Sequence, residues 1–357
     1  MSIKHLVKCN ILKLKPYQSA RKLGGKGNIW LNANEYPLTP KYICNIKNLN
    51  RYPECQPSLL INKYANYVNI KSKQVLVCRG ADEGISLLIR AFCDFNKDKI
   101  LFCPPTYGMY KVSSEILGIK FFEINTINNW QLDLNKIINN LKNVKLIYLC
   151  NPNNPTGNII NHNDIIYLLK IIKNKALLVI DEAYIDFCLN FSLTYLIEKN
   201  ENLVILRTLS KAFALAGIRC GFILSNSYII KILTKIIDPY PIPSPVIDIA
   251  SQALSENGIK QTKLRIMNIH YNKAIFIKDL KECKCVMKVY SSLSNYCLVK
   301  FDSRYQVFKS LWNKGIILRD QSLQPGLIDC IRITIGTLKE CKQIIKILKI
   351  LKPNKLL

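Results

Sequence analysis

Histidine is scarce in this chain of 357 residues, and long apolar runs are missing. The three histidines, His5, His162 and His270, lie far in sequence from any candidate nucleophile, so serine or cysteine hydrolase chemistry has no support. No apolar run approaches the roughly 18 residues needed to span a bilayer. The N-terminal segment also lacks the apolar core of a signal peptide. We therefore predict a cytoplasmic protein that has no membrane segment and whose mature sequence starts at Met1.

The chain has no CxxC pair, although it contains fourteen cysteines. The closest two are Cys283 and Cys285, and most of the others lie inside apolar runs, as Cys103 and Cys150 do. This distribution is typical of buried free thiols in a reducing compartment, not of disulfides or zinc ligands. We predict no metal site.

Acidic residues are also few: 24 against 51 lysines and arginines, which gives a net charge of +27. Such a charge suggests a nucleic-acid or membrane-surface binder as an alternative class of function. The lysines, however, mostly occur singly, and no dense basic run or platform of interleaved aromatic residues is present. Lysine, isoleucine and asparagine are all abundant, which indicates compositional bias. We predict no specific nucleic-acid partner, only nonspecific binding of polyanions at low salt.

One lysine stands among small and apolar residues, in the segment TLSKAFALAGIR at 208–219. Lys211 has a hydroxyl beside it, on Ser210, and an arginine eight positions later, Arg219. A lysine amine attacks a carbonyl only when an apolar pocket or a neighbouring cation keeps it partly unprotonated. Ser210 and Arg219 are donors suited to a phosphate. Taken alone, the segment also fits an ordinary surface lysine.

Two apolar runs, at 144–150 and 176–181, predict buried strands that deliver polar groups to one edge of a sheet. The second run ends in Asp181, and Tyr184 follows three residues later. The first runs into NPNNPTG at 151–157, which contains Asn154. Asp181 could instead cap a turn, and Asn154 also fits turn chemistry. Together with Lys211 and Arg219, these groups suit pyridoxal phosphate, which needs an acid, phenolate donors, a lysine and cations.

The hydrophobic pattern predicts an α/β fold of two units. Seven buried strands separated by helices, such as those at 81–92 and 163–173, imply a mostly parallel sheet covered on both faces. The strands are expected at 75–79, 100–103, 120–124, 144–150, 176–181, 203–207 and 221–224. After a proline-rich stretch at 239–245 and a helix over about 258–283, a smaller α/β unit follows, with strands at 286–290, 296–301, 316–319 and 330–334.

The chain resembles the fold-type I pyridoxal-phosphate aminotransferases, and among them most closely the histidinol-phosphate aminotransferases. The motifs NPNNPTG and DEAY (181–184) are shared by the broad class, whereas others narrow the resemblance to this family. Matching segments span nearly the whole length: PYQSAR (16–21), LNANEYP (31–37), NRYPECQP (50–57), RGADEGI (79–85), PPTYGMY (104–110), RTLSKAFALAGIRCG (207–221), GIILRDQ (315–321) and IRITIGT (331–337).

The resemblance implies a homodimer in which three segments can be distinguished. Residues 1–45 would pack with the small domain and the partner, 46–257 would form the large cofactor domain, and 258–357 the small domain. Lys211 would bond to the cofactor, Asp181 would contact its ring nitrogen, and Asn154 and Tyr184 its phenolate oxygen. The remaining cofactor contacts would be Ala81, Asp82, Ser210 and Arg219 at the phosphate, Tyr107 stacked on the ring, and Tyr52 from the other subunit.

Substrate contacts follow from the same resemblance. Arg332 would bind a carboxylate or the phosphate, since a guanidinium matches either one bidentately, and the other candidates are Tyr17, Asn34, Tyr52 and Arg319. The implied reaction interconverts L-histidinol phosphate and 2-oxoglutarate with imidazole-acetol phosphate and L-glutamate, in histidine biosynthesis. A surface ion pair remains an alternative for Arg319. A phosphate-recognising decarboxylase, or an aminotransferase for aromatic or aspartate-like acids, would use the same cofactor set.

Overall fold

A computed structural model describes residues 3–14, 16, 21, 27–44 and 49–351. Thirteen strands lie within these residues. They are β1 (Ile29–Trp30), β2 (Val75–Cys78), β3 (Lys99–Phe102), β4 (Lys120–Glu123), β5 (Val144–Cys150), β6 (Leu177–Asp181), β7 (Leu203–Thr208), β8 (Gly221–Ser225), β9 (Val286–Val289), β10 (Tyr296–Phe301), β11 (Ile316–Ile317), β12 (Arg319–Asp320) and β13 (Cys330–Thr334).

Eleven α-helices lie between and around these strands in the described part of the chain. They are α1 (Cys9–Lys13), α2 (Ser58–Val68), α3 (Ala81–Phe92), α4 (Met109–Leu117), α5 (Leu134–Asn139), α6 (His162–Ile171), α7 (Ser227–Thr234), α8 (Ser244–Ala253), α9 (Glu256–Lys281), α10 (Arg304–Asn313) and α11 (Leu338–Ile350). None of the helices in the described ranges is both long and apolar enough to cross a bilayer.

The seven strands β2 to β8 form one sheet in the order β2-β8-β7-β6-β5-β3-β4. Strands β7, β6, β5, β3 and β4 run parallel to one another, whereas β8 is antiparallel to both of its neighbours. The predicted seven-stranded, mostly parallel sheet is therefore confirmed. Because the four central parallel strands end at the same edge, the loops that follow them meet there.

Alternate residues of the central strands enter two different hydrophobic cores. Along β6, Leu178 and Ile180 belong to one core, while Val179 belongs to the other. Side chains point to opposite faces at every step along a strand, so a strand with helices on both faces is apolar throughout. This packing explains the continuous apolar runs and holds the ends of β5, β6 and β7 in fixed relative positions.

A second, four-stranded sheet has the order β12-β13-β10-β9, and all its neighbours are antiparallel. The strand predicted at 316–319 is wrong as a single element. Ile316 and Ile317 pair in parallel with Ile29 and Trp30, whereas Arg319 and Asp320 pair with β13. The chain changes partner at Leu318, and Arg319 thereby comes opposite Arg332.

Several helix ends differ from the prediction by about two residues because of capping groups. Helix α9 begins at Glu256, where Ser255 accepts a hydrogen bond from the Gly258 N–H, and it ends at Lys281 rather than Cys283. Helix α6 begins at His162, because Asn161 accepts from the Asn163 N–H. Such side-chain acceptors satisfy donors that the first helical turn leaves without a partner.

Candidate active site

A cavity of about 570 Å³ lies where the loops after β5, β6 and β7 meet the four-stranded sheet. Its walls come from both sheets and from the segment near residue 33. Most of the site residues expected from the sequence line this one cavity. They are Ala81, Asp82, Tyr107, Asn154, Asp181, Tyr184, Ser210, Lys211, Arg219, Arg319 and Arg332. The fold therefore brings together side chains that are spread over about 250 residues of sequence.

Asp181 is the last residue of β6 and is only 2% exposed. One carboxylate oxygen accepts the Tyr110 hydroxyl proton at 2.8 Å, and the other accepts from the Ala183 N–H at 3.0 Å. Burial raises the pKa of Asp181 to about 6, although these two hydrogen bonds act in the opposite direction. A buried carboxylate held in this way is suited to pair with a cationic or protonated group of a ligand.

The Tyr184 hydroxyl lies among amide groups from distant parts of the chain. It accepts from Asn34 Nδ2 at 2.9 Å and from Asn154 Nδ2 at 3.4 Å. Asn34 is itself fixed, because its N–H donates to the Thr334 hydroxyl at 3.0 Å and its carbonyl accepts from Asn295 at 2.9 Å. With both amides donating to its oxygen, the hydroxyl has its own proton available for an acceptor in the cavity.

Lys211 lies in the short loop that joins β7 to the antiparallel β8. The loop is held closed by the Leu209 N–H donating to Cys220 and the Leu215 N–H donating to Leu209, both at 3.1 Å. The half-buried Lys211 Nζ donates to the Ala33 carbonyl at 2.8 Å and lies 5.6 Å from the centre of the Tyr184 ring. No carboxylate forms an ion pair with this amine among the described residues.

Burial, followed by the nearby Arg332 guanidinium, lowers the pKa of Lys211 to about 8. Both effects disfavour the charged ammonium, since burial removes its hydration and a like charge repels it. Near neutral pH a minor fraction of the amine is therefore uncharged, far more than for a lysine with the ordinary pKa. An uncharged amine in a cavity can attack a carbonyl carbon or accept a proton, which a protonated lysine cannot do.

The pH dependence of Lys211 can be tested with a small aldehyde. We expect reductive methylation of Lys211 by formaldehyde, followed by peptide mass spectrometry, to rise with pH and reach half its maximal rate near pH 8, because only the neutral amine reacts. In Arg332→Met the midpoint should move to higher pH, since the repelling cation is gone. A midpoint that stays at the same pH in this variant would contradict the electrostatic role assigned to Arg332.

An anion site is formed at the beginning of α3. Gly80 precedes the helix with φ +80°, and a Cβ atom at this residue would lie 2.8 Å from Arg219 Nη2. A Cβ on Gly221 would lie 2.6 Å from the Gly80 carbonyl carbon, so the two backbones can approach this closely only because residue 221 is glycine. The amides of Ala81 and Asp82 stand at the positive end of the helix dipole.

Two side chains complete the donors at this site. Arg219 Nη1 lies 3.5 Å from Ser210 Oγ, and Arg219 Nη2 donates to Asp82 at 3.2 Å. Asp82 also accepts the Tyr107 hydroxyl proton at 2.9 Å. The helix amides, a hydroxyl and a guanidinium are the donor set that a phosphate monoester requires.

Arg332 forms the opposite wall of the cavity and is 6% exposed. Its guanidinium donates to the Asn154 side-chain oxygen and to the Asn32 carbonyl, and it lies 5.5 Å from the centre of the Tyr296 ring. Arg319 lines the same wall from the neighbouring strand. Two guanidiniums opposite the anion site can bind a second anionic group.

Three predicted contacts lie away from this cavity or outside the described residues. Tyr52 is 79% exposed and stacks on Tyr240 with ring centres 4.2 Å apart. Asn34 is fully buried and acts on Tyr184, as described above, instead of lining the cavity. Tyr17 lies outside the described residues, so its role stays a prediction.

Two groups beneath the site were not predicted from the sequence. Tyr110 holds Asp181, and the motif PPTYGMY contains it, but the motif by itself does not distinguish a core tyrosine from a positioning one. Arg207 is 1% exposed and pairs with Glu182 at 2.8 Å and with Asp186 at 3.1 Å. These two carboxylates flank the Ala183–Tyr184 turn. The only sequence signal for this network was a charged residue at the end of each of two predicted buried strands: Arg207 ends the strand at 203–207, and Glu182 follows the strand at 176–181.

Comparisons with known proteins agree with this geometry. A family model for class I and II aminotransferases matches residues 26–348. The histidinol-phosphate aminotransferase of Blochmanniella floridana is 61% identical, with 99% of both chains aligned. That of Baumannia cicadellinicola subsp. Homalodisca coagulata is 59% identical, with 98% of both aligned.

Solved structures show the same fold. The histidinol-phosphate aminotransferase from Clostridium acetobutylicum has a TM-score of 0.81 at 27% identity, covering 89% of this chain and 97% of that one. The enzyme of the same name from Sinorhizobium meliloti, in complex with pyridoxal-5'-phosphate, has a TM-score of 0.86 at 19% identity, covering 96% of both chains. At this low identity the second match supports the fold alone.

Proposed function

We infer the function of this chain from its family: it belongs to the class I and II aminotransferases and, within them, to the histidinol-phosphate aminotransferases. We propose that it interconverts L-histidinol phosphate and 2-oxoglutarate with imidazole-acetol phosphate and L-glutamate, as a step of histidine biosynthesis. The observation that carries this proposal is the single cavity in which a half-buried lysine amine, Lys211, lies between an anion site and a pair of guanidiniums.

The residues of the cavity fit pyridoxal 5'-phosphate as the cofactor. The amides of Ala81 and Asp82, with Ser210 and Arg219, would hold its phosphate. Because residue 80 is glycine, the Arg219 guanidinium can lie close to this turn. Asp181 would hold the ring nitrogen. Tyr184 and Asn154 would donate to the phenolate oxygen, while Tyr107 borders the space for the ring. When bound, the cofactor withdraws electrons from the α-carbon of an amino-acid substrate.

Proton transfer is the task of Lys211. Its Nζ can accept the proton from the substrate's α-carbon, because the lowered pKa leaves the amine partly neutral at physiological pH. The same atom can return that proton to a neighbouring carbon. Asp181, ionised above about pH 6, keeps a protonated partner charged in the low-dielectric interior.

Two different amino donors can use one anion-binding wall. L-glutamate carries two carboxylates, whereas L-histidinol phosphate carries a phosphate and no α-carboxylate. The guanidiniums of Arg332 and Arg319 match either group. Because the same two guanidiniums can bind either anionic group, both half-reactions of a ping-pong exchange can rely on the same contacts.

The proposed function predicts a specific optical result. Protein loaded with pyridoxal phosphate is mixed with L-histidinol phosphate and, separately, with L-glutamate, and the absorbance of the bound cofactor is followed. We expect both amino donors to convert the spectrum of the aldehyde form into that of pyridoxamine phosphate. Conversion by L-glutamate alone would keep the cofactor and reject the substrate, and the absence of any bound-cofactor band would reject the role of Lys211.

We further propose a cytoplasmic homodimer in which Tyr52 reaches the anion site of the partner. In support, Tyr52 is largely exposed and does not line the cavity of its own chain. Most of the cysteines are buried free thiols, as in proteins of a reducing compartment.

The separate seven-stranded and four-stranded sheets also support division at about residue 257 into a large and a small domain, with the segment 1–45 pairing through β1 with β11.

A further inference from the structure

An uncharged side chain, that of Gln321, stands beside the Arg319 and Arg332 guanidiniums in the cavity. Arg319 lies opposite Arg332 across the β12–β13 ladder, and the ladder continues where the Gln321 N–H donates to the Cys330 carbonyl at 3.0 Å. Residues two apart in an extended strand point to the same face. Arg319 and Gln321 accordingly line the same cavity as Arg332.

Hydrogen bonds to neighbouring residues distinguish the oxygen of the Gln321 side-chain amide from its nitrogen. The Thr106 backbone N–H, which can only donate, donates to Gln324 Oε1 at 2.9 Å. This fixes Gln324 Nε2 as the donor toward Gln321 Oε1, at 3.2 Å. Gln321 Oε1 therefore accepts the hydrogen bond from Gln324, and the two hydrogens on Gln321 Nε2 are available for another partner.

No acceptor lies within hydrogen-bonding distance of Gln321 Nε2 among the described residues. The residue as a whole is only 6% exposed, and its side chain lines the cavity. An oriented donor on the cavity wall favours a ligand that supplies an acceptor, because a ligand that displaces the cavity water and supplies none leaves the donor without a partner. The other groups on this wall, Arg319 and Arg332, are donors as well.

We propose that Gln321 donates to the unprotonated ring nitrogen of the imidazole in L-histidinol phosphate and so determines specificity for that side chain. This inference rests on the proposed function and adds a recognition contact to it. The phosphate is matched by the guanidiniums, which bind a dianion more strongly than an amide does. A neutral imidazole has one acceptor nitrogen, which the amide N–H of Gln321 can match.

The experiment compares two ligands that differ only in the ring. L-phenylalaninol phosphate has the same phosphate and amine as L-histidinol phosphate, but its phenyl ring has no acceptor. Each ligand is mixed alone with the protein loaded with pyridoxal phosphate, and the concentration that half-saturates the single-turnover conversion of the cofactor spectrum is measured for the wild type and for Gln321→Met. In the wild type we expect L-histidinol phosphate to bind at least about tenfold more tightly, since the unmatched ring leaves the amide without a partner.

In Gln321→Met this preference should fall to about threefold or less, mainly through weaker binding of L-histidinol phosphate. A contact of Gln321 with the phosphate would weaken both ligands equally and leave their ratio unchanged, and that result overturns the proposal. An unchanged affinity for both ligands overturns it too. The variant is used only if its bound-cofactor spectrum and melting temperature match those of the wild type.

Gln321→Leu serves as the second variant if the methionine disturbs the fold. It is similar in size and removes both the donor and the acceptor of the amide. We expect the same loss of preference for L-histidinol phosphate. If the wild type itself fails to react with L-histidinol phosphate, the proposed function fails. If the wild type reacts and the variants keep its preference, only the inference about Gln321 fails.

Discussion

Lys211→Ala should lower turnover by roughly 10⁴-fold with either amino donor. The physical reason is that no other group can replace the amine. Lys211 is the one lysine that lines the cavity among the described residues, and the remaining cationic side chains there are arginines. A guanidinium does not lose its proton near neutral pH and so cannot accept one from the α-carbon. Steady-state kinetics provides the measurement, with L-glutamate and imidazole-acetol phosphate in one direction and with L-histidinol phosphate and 2-oxoglutarate in the other.

A matched control separates this loss from a general effect of removing charge. Lys170 is an exposed lysine on α6 that does not line the cavity, and Lys170→Ala should keep wild-type turnover. Lys211→Ala should also melt near the wild-type temperature, because Lys211 forms no ion pair with a carboxylate in the described chain. Added methylamine should restore part of the activity by entering the space of the side chain. Normal turnover by Lys211→Ala would reject the mechanism.

Arg207→Ala should lower the free energy of unfolding by about 3–5 kcal/mol, measured by urea denaturation. Arg207 is almost fully buried between Glu182 and Asp186, and its Nη2 also donates to Ser192 at 3.0 Å. Removing it leaves two buried carboxylates without their cation. Burial already raises the pKa of Glu182 and of Asp186, and Arg207 opposes that rise. The loss should therefore shrink at acidic pH, where protonation of both carboxyls removes the uncompensated charge.

The surface offers a comparison for this buried arginine. Arg79 also contacts two carboxylates, Glu83 and Asp238, but its side chain is 50% exposed. Water and salt screen such pairs, so Arg79→Ala should cost less than about 1 kcal/mol. Equal losses in the two variants would show that burial does not decide the strength of the Arg207 network. Because Glu182 and Asp186 flank Tyr184, Arg207→Ala should also weaken cofactor binding.

Much of the large sheet and of the site could be predicted because the relevant signals are local. Continuous apolar runs identify strands that are buried on both faces, and β5, β6 and β7 lie close to their predicted positions. Asp181 and Lys211 follow such strands directly, so their place at one edge of the sheet follows from the strand pattern and the parallel topology. The anion site likewise follows from the Gly80 turn before α3.

Other features depend on residues that are far apart in sequence. The division of the predicted strand 316–319 between two sheets depends on the β1 and β13 partners, which no local pattern identifies. The orientation of Gln321 depends on Thr106, more than two hundred residues earlier in the chain, acting through Gln324. Asn34 also acts on Tyr184 from a distant segment.

The sequence by itself determined the fold class, the family and the chemical types of the main site residues, because periodicity and motifs are carried by neighbours along the chain. Only the tertiary structure decided the electrostatic state of those residues. The lowered pKa of Lys211 and the raised pKa of Asp181 result from burial and from charges brought close by folding. The ion pairs of Arg207 with Glu182 and Asp186 likewise depend on charges that folding brings close together. Desolvation and Coulomb interactions depend on distances in space, which the order of residues does not specify.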